Sequence, residues 1–126
     1  MRLLLDTSTF IWAIGSPDRL SKRAAAAMEP QEIIAEVSAI CLSEIAVKYA
    51  TGKLNLAIDA VRAGIQDFNL RVLPYTATHA YQLYNLPLHH LDPFDRMIIA
   101  QALAEGIPIV TSDSQFRKYR DLKVIW

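Results

Sequence analysis

LDPFDRMIIAQALAEGIPIVTSD, residues 91–113, reads as one helix, one turn and one strand in immediate succession. Asp92-Pro93 opens the helix, the carboxylate as N-cap and the proline at the first helical position, where its missing N–H is of no consequence. Gly106-Ile107-Pro108 closes it and leads into a short apolar strand, Ile109 to Thr111, with Asp113 just beyond. A helix delivered straight into a buried strand is the unit of a parallel sheet. Asp95 also shares a helix face with Ile98, Ile99 and Ala102, at spacings of three, four and seven. A carboxylate topping an apolar stripe points inward, and it is expensive to bury without a partner.

The rest of the chain repeats this alternation. Arg2 to Leu5 is a first strand with unbroken leucines, the pattern of a strand covered on both faces. A short helix follows from Thr7 or Ser8 to Ile14, ended by Gly15-Ser16-Pro17, and an alanine-rich one from Ser21 to Met28. The spacing then predicts a strand over Ile33–Val37, helices over Leu42–Thr51 and Ile58–Phe68, a strand over Leu70–Leu73 and a helix over Ala77–Tyr84. A Pro-containing loop with His89 and His90 comes before the quoted stretch; a short helix near Gln115–Tyr119 and a last strand, Leu122–Ile125, come after it. No repeat, low-complexity tract or linker interrupts the pattern, so residues 1–126 read as a single domain.

Composition narrows the class further. Hydrophobic residues make up 52% of the chain and charged residues 21%, which excludes a disordered polymer and predicts association. Thirteen Lys and Arg balance thirteen Asp and Glu, so no global field draws the chain to polyanions; a local site can still engage a phosphodiester. The single cysteine, Cys41, forms no internal disulfide. Met-Arg and three leucines before Asp6 are too short for a signal peptide or a membrane span, and a cytoplasmic protein is expected.

Four acids stand where apolar strands meet helices: Asp6, Glu44, Asp95 and Asp113. In parallel sheets ligands bind beyond the carboxyl ends of the strands, where strand order reverses. Carboxylates converging there repel one another unless a cation intervenes, and oxygen ligands favour Mg²⁺ or Mn²⁺ over zinc. Each acid also has an ordinary structural role open to it. Asp6 can cap the following helix, Asp95 can belong to a capping arrangement with Asp92, and Asp113 can be a turn residue. Glu44 lies opposite the stripe Leu42, Ile45, Ala46, Tyr49, with Lys48 in ion-pair register, and alone reads as part of a solvated face.

LLLDTS at 3–8, SEIAVKYATGKL at 43–54, HHLDPFDRMIIAQA at 89–102 and VTSDSQF at 110–116 together resemble a PIN-domain protein, specifically the VapC-type ribonuclease toxins of prokaryotic toxin–antitoxin pairs. The resemblance spans the whole chain. It implies a PIN-like α/β/α sandwich with a central parallel sheet of four to five strands, a Mg²⁺- or Mn²⁺-dependent endoribonuclease, a homodimer, and inhibition by a small cognate antitoxin. It assigns Asp6, Glu44, Asp95 and Asp113 to the family's acidic metal-binding quartet, and moves Glu44 from a solvated face to the pocket rim. Thr7, Thr111 and Ser112 become candidates to orient carboxylates or a water. Leu91 is a departure, since related sequences often carry Arg there.

The implied chemistry is phosphodiester hydrolysis, with a cation held mainly by Asp6 and Asp95 activating water, and room in principle for a second ion at the leaving oxygen. Lys48 and Arg96 lead the candidates for RNA contact, ahead of Lys53, Arg117, Lys118 and Arg120, with Tyr49 and Phe116 as stacking or packing partners. Cys41 reads as a core cysteine and the two histidines as loop or packing residues. An antitoxin segment is expected against Phe10, Trp12 and Ile14, inserting a basic residue near Asp6 and Asp95; burial of Phe10 and Trp12 in the core is the competing reading. Two other classes remain. A receiver-like domain would need paired acids after strand one, where this chain has one; a catalytically silent PIN scaffold acting as a protein- or RNA-binding module would need no acids at all.

Overall fold

A computed structural model describes residues 1–126. Five strands, β1 (Arg2–Leu5), β2 (Ile34–Ser38), β3 (Arg71–Leu73), β4 (Ile109–Val110) and β5 (Val124–Ile125), form one parallel sheet in the order β3-β2-β1-β4-β5. Leu3, Leu4 and Leu5 alternate between the two faces of the central strand, yet all are at most 1% exposed, so both faces are covered. Six helices provide the cover: α1 (Thr7–Gly15), α2 (Lys22–Met28), α3 (Ala39–Ala50), α4 (Ile58–Asp67), α5 (Ala77–Gln82) and α6 (Pro93–Glu105). None is long and apolar enough to cross a membrane. Phe10, Ile98, Ile99, Ile109 and Phe116 fill the core beside the leucines.

The order of the strands places the site. From β1 the chain steps outward on one side to β2 and β3, and on the other to β4 and β5, so the reversal lies between β1 and β4. Asp6 follows β1 directly, and Thr111 follows β4.

The sequence boundaries need adjustment at α3. The helix begins at Ala39, immediately after β2, because the Ser38 side chain caps it by accepting the Ile40 N–H at 2.9 Å. Its buried face carries Cys41, Glu44 and Ile45, while Ala46 and Tyr49 of the expected apolar stripe are exposed. That stripe instead borders a groove of about 420 Å³ shared with Ile58, Val61 and Ile65 of α4. The expected helix over residues 77–84 closes as α5 at Gln82 and tightens into a 3₁₀ turn, Leu83–Asn85, and the segment Ser114–Lys118 is likewise 3₁₀.

β2 holds a charge the periodicity did not flag. Glu36 has no exposed surface, and its carboxylate accepts from Arg2 at 2.6 and 3.1 Å and from Arg71 at 3.1 Å. A buried anion persists in a strand because two guanidinium groups from flanking strands reach it.

Candidate metal centre

Asp6 is both a cap and a buried acid. Its Oδ1 accepts the Thr9 N–H at 2.8 Å, closing the first turn of α1, and its Oδ2 accepts the Thr111 hydroxyl at 2.6 Å. The Asp6 N–H donates to Val110 O at 3.2 Å and the Thr9 hydroxyl to the same carbonyl at 2.9 Å, so the start of α1 is tied to the end of β4. Burial raises the Asp6 pKa; the Thr111 and Thr9 hydrogen bonds oppose that, and the Asp113 charge adds to it.

Thr111 also accepts the Asp113 N–H at 3.0 Å, which sets the turn that carries Asp113. Asp113 Oδ1 in turn caps the following 3₁₀ segment through the Gln115 N–H at 2.9 Å. Ser112 between them is exposed and makes no side-chain hydrogen bond, so it orients none of the carboxylates.

Glu44 is 5% exposed, which corrects its reading as a solvated face. Its Oε1 accepts the Thr7 hydroxyl at 2.6 Å and its Oε2 the Lys48 ammonium at 2.7 Å. The i, i+4 register of Lys48 thus places a cation at the rim of the site, half in solvent, where Asp92 and Asp95 also attract it.

Asp95 sits in the first turn of α6 behind its cap, its own N–H donating to Asp92 Oδ1 at 3.0 Å. No Lys or Arg pairs with its carboxylate; the nearest partner is His90 Nε2, 3.5 Å from Oδ2. Burial pushes its pKa up to about 7, reinforced by the charges of Asp92, Glu44, Asp113 and Asp6. The charges of Asp6, Glu44 and Asp113 therefore all act on Asp95.

The four acids do not close on one point: no three Asp, Glu, His or Cys side chains stand together as a ready-made set of ligands. The donor chemistry suits a hard, partly hydrated cation, since Mg²⁺ keeps several waters and takes only one or two carboxylates directly. The excess of negative charge, with Lys48 as the counter-ion at the rim, fits such an ion as well.

The remaining candidates divide. Arg96 is held by three acceptors: it donates to Pro87 O at 2.8 Å, Tyr119 Oη at 3.1 Å and Leu86 O at 3.3 Å. Phe116 is core, and Cys41 is fully buried with its thiol pushed up to about 12. Phe10 is also fully buried and offers no surface to a partner; Trp12 is partly exposed, packed on Trp126 and under the Arg19 guanidinium. His90, a loop residue that packs on Tyr119 and Phe116 as the sequence suggests, also stands with Nε2 3.5 Å from Asp95 Oδ2. The signal available in the sequence was its place five residues before that acid, on the proline-rich approach to the helix.

Comparison with known proteins adds to this geometry. A family model described as PIN domain matches residues 3–122. Ribonuclease VapC22 of Mycobacterium tuberculosis (strain ATCC 25618 / H37Rv) is 33% identical over 121 residues, covering 94% of this chain and 92% of that protein. The fold is similar to VapBC2 from Rickettsia felis bound to a DNA fragment from its promoter, with a TM-score of 0.72 and 17% identity over 98% of this chain and 97% of that one. It is also similar to DNA-bound VapBC from Salmonella typhimurium, with a TM-score of 0.69 and 21% identity over 98% and 96%. Matched along nearly its whole length by the family model and by a relative one-third identical to it, this chain belongs to the PIN-domain family.

Proposed function

We propose that this protein is a Mg²⁺- or Mn²⁺-dependent endoribonuclease, the toxin of a type II toxin–antitoxin pair. The observation that carries the reading is Asp95, a largely buried carboxylate with no Lys or Arg partner, facing three further acids at the sheet's switch point. Similarity to Ribonuclease VapC22 supports RNA as the substrate, and similarity to VapBC assemblies supports a small protein inhibitor.

When bound, Mg²⁺ or Mn²⁺ supplies a Lewis acid for a non-bridging phosphate oxygen and a water of lowered pKa. The chain's part is to hold oxygens in place. Asp6 and Asp95 would be the principal ligands, and Asp6 is held by Thr9 and Thr111 in advance. Asp113 and Glu44 complete the negative field, Glu44 being held by Thr7. Lys48, half exposed at the rim, would meet the RNA backbone. Apolar grooves on either side of α4, one reaching Leu42 and Tyr49 and the other Ile11 and Ile14, suit the amphipathic segment of an antitoxin.

The test is cleavage of mixed cellular RNA by protein freed of contaminating nuclease. Cleavage should vanish in chelator, return with Mn²⁺, and stay absent in Asp95→Asn. Undiminished cleavage in chelator overturns the metal reading. Co-expression with the adjacent open reading frame tests the pairing: a neighbour that neither binds nor silences the protein removes the toxin–antitoxin assignment.

A further inference from the structure

Three polar groups outside the acidic quartet form a chain that ends at Asp95. Arg96 is anchored by the carbonyls of Pro87 and Leu86 and donates to Tyr119 Oη at 3.1 Å. Tyr119, 3% exposed, lies with that oxygen 2.8 Å from His90 Nδ1. On the far side of the same ring, His90 Nε2 is buried, has no hydrogen-bond partner, and stands 3.5 Å from Asp95 Oδ2.

The direction of the hydrogens follows from the donors available. Arg96 has only donors, so at the 3.1 Å contact Tyr119 must accept. The tyrosine's own hydrogen then goes to His90 Nδ1, its other close polar neighbour. Were Nδ1 the protonated nitrogen, Tyr119 would receive two donors and its own hydrogen would have no acceptor among its recorded contacts. His90 is thereby the Nε2–H tautomer, and its one unpartnered N–H is on the nitrogen that stands 3.5 Å from Asp95 Oδ2. The ring has little freedom to turn, because Tyr119 meets it edge-on with centroids 5.5 Å apart, and His89 packs edge-on against the same tyrosine at 4.8 Å.

We propose that His90, its tautomer set by Tyr119 and Arg96, is the positioning residue for Asp95, donating Nε2–H to Oδ2 and holding the carboxylate in the orientation that faces the cation. The 3.5 Å separation is longer than a formed hydrogen bond, and a small movement of the carboxylate closes it. The inference rests on the metal-centre reading for its purpose. It also gives Arg96 a role, as the first donor of a chain that ends at the acid beside it in sequence.

The test uses the full chain and needs no RNA. Long-range proton–nitrogen spectra of metal-free protein should show His90 as the Nε2–H tautomer. Tyr119→Phe keeps the ring and removes the hydroxyl, so the tautomer preference should be lost and the Asp95 carboxyl carbon resonance should move. Mn²⁺ affinity, measured by titration, should fall roughly tenfold in Tyr119→Phe and in His90→Ala, as for other groups that orient metal ligands. His90→Gln, which returns an N–H donor near the Nε2 position, should recover most of that loss, whereas a purely packing role predicts no recovery. Circular dichroism checks that each variant is folded. An Nδ1–H tautomer in the wild type overturns the proposal, as does an Asp95 resonance indifferent to Tyr119→Phe and His90→Ala in folded protein. If the wild type takes up no Mn²⁺, the metal-centre reading fails, and the two spectroscopic readouts still decide whether His90 positions Asp95.

Discussion

The Thr111 hydroxyl donates to Asp6 Oδ2 at 2.6 Å, joining the ends of β1 and β4 across a sequence separation of 105 residues. One hydrogen bond thus spans the crevice where the sheet changes direction, and the same threonine accepts from the Asp113 N–H. Thr111→Val keeps the shape and removes both contacts. It should lower the Mn²⁺ affinity about tenfold or more, by freeing an oxygen of Asp6 and loosening the Asp113 turn. Titration with Mn²⁺ reads the effect directly.

Asp6→Asn and Asp95→Asn should each abolish RNA cleavage and growth inhibition without unfolding the chain, because the amide keeps the shape and loses the charge. Glu44→Gln should be severe and less complete, since Lys48 already pairs with the Glu44 charge whereas no Lys or Arg pairs with Asp6 or Asp95. Single-turnover cleavage by purified variants checks the order.

Metal-free protein should lose stability as pH rises. Asp95 has a folded pKa of about 7 against an ordinary value of 3.8, so its stabilising contribution is full below about 4 and is lost as pH passes through 7. Each unit of such a difference corresponds to about 1.4 kcal/mol, and a loss of roughly 2 kcal/mol is expected once the partial exposure of the group is allowed for. Asp95→Asn should flatten this slope and melt higher than wild type in chelator, and Mn²⁺ should raise the wild-type melting temperature by linkage. Melting curves across that pH range, with and without Mn²⁺, test all three.

Gly64→Ala should destabilise, although alanine is the better helix former. An added Cβ would stand 2.5 Å from Ile14 Cγ2 and 3.1 Å from Ile14 Cβ, so α1 and α4 could not keep their present approach. Urea denaturation should show a loss of about 1–3 kcal/mol, the range for overpacking.

Tyr81, Tyr84, Leu88 and Leu91 are each at least 68% exposed along α5 and the loop after it, more apolar surface than one short segment ordinarily leaves in water. A two-fold dimer is the expected remedy. Light scattering should find twice the monomer mass, and Tyr84→Asp should reduce it.

Much of the fold was legible because the local signals agreed with one another. Asp92-Pro93 and Gly106 bracket α6 as the capping preferences require, and the unbroken leucines of β1 are buried on both faces. The acids were legible as positions and not as contacts: nothing local distinguishes Asp113, which caps a 3₁₀ turn, from Asp6, which caps α1 and also reaches Thr111. The surroundings of Glu44 and Arg96 were hidden from local pattern for the same reason. Their surroundings come from distant elements, α1 in one case and the Tyr119 region in the other, and a helical periodicity carries no information about what approaches from outside the helix. Glu36 was passed over, and the approach of His90 to Asp95 was not foreseen, because a single polar residue in an apolar run or a proline-rich loop acquires its contacts only from partners at long range.

β1 precedes the other four strands in the chain and sits in the middle of the sheet. Its neighbour β2 follows some thirty residues later, but its other edge remains unpaired until Ile109 and Val110 arrive. A nascent chain released before that point carries Asp6, Glu44 and Asp95 and still lacks Thr111, the hydroxyl that holds Asp6, along with Asp113. Non-local pairing of this kind is slow to form. Formation of this acidic cluster is therefore deferred until β4 is made, so products truncated before Ile109 carry three of the four acids without the hydroxyl that holds Asp6.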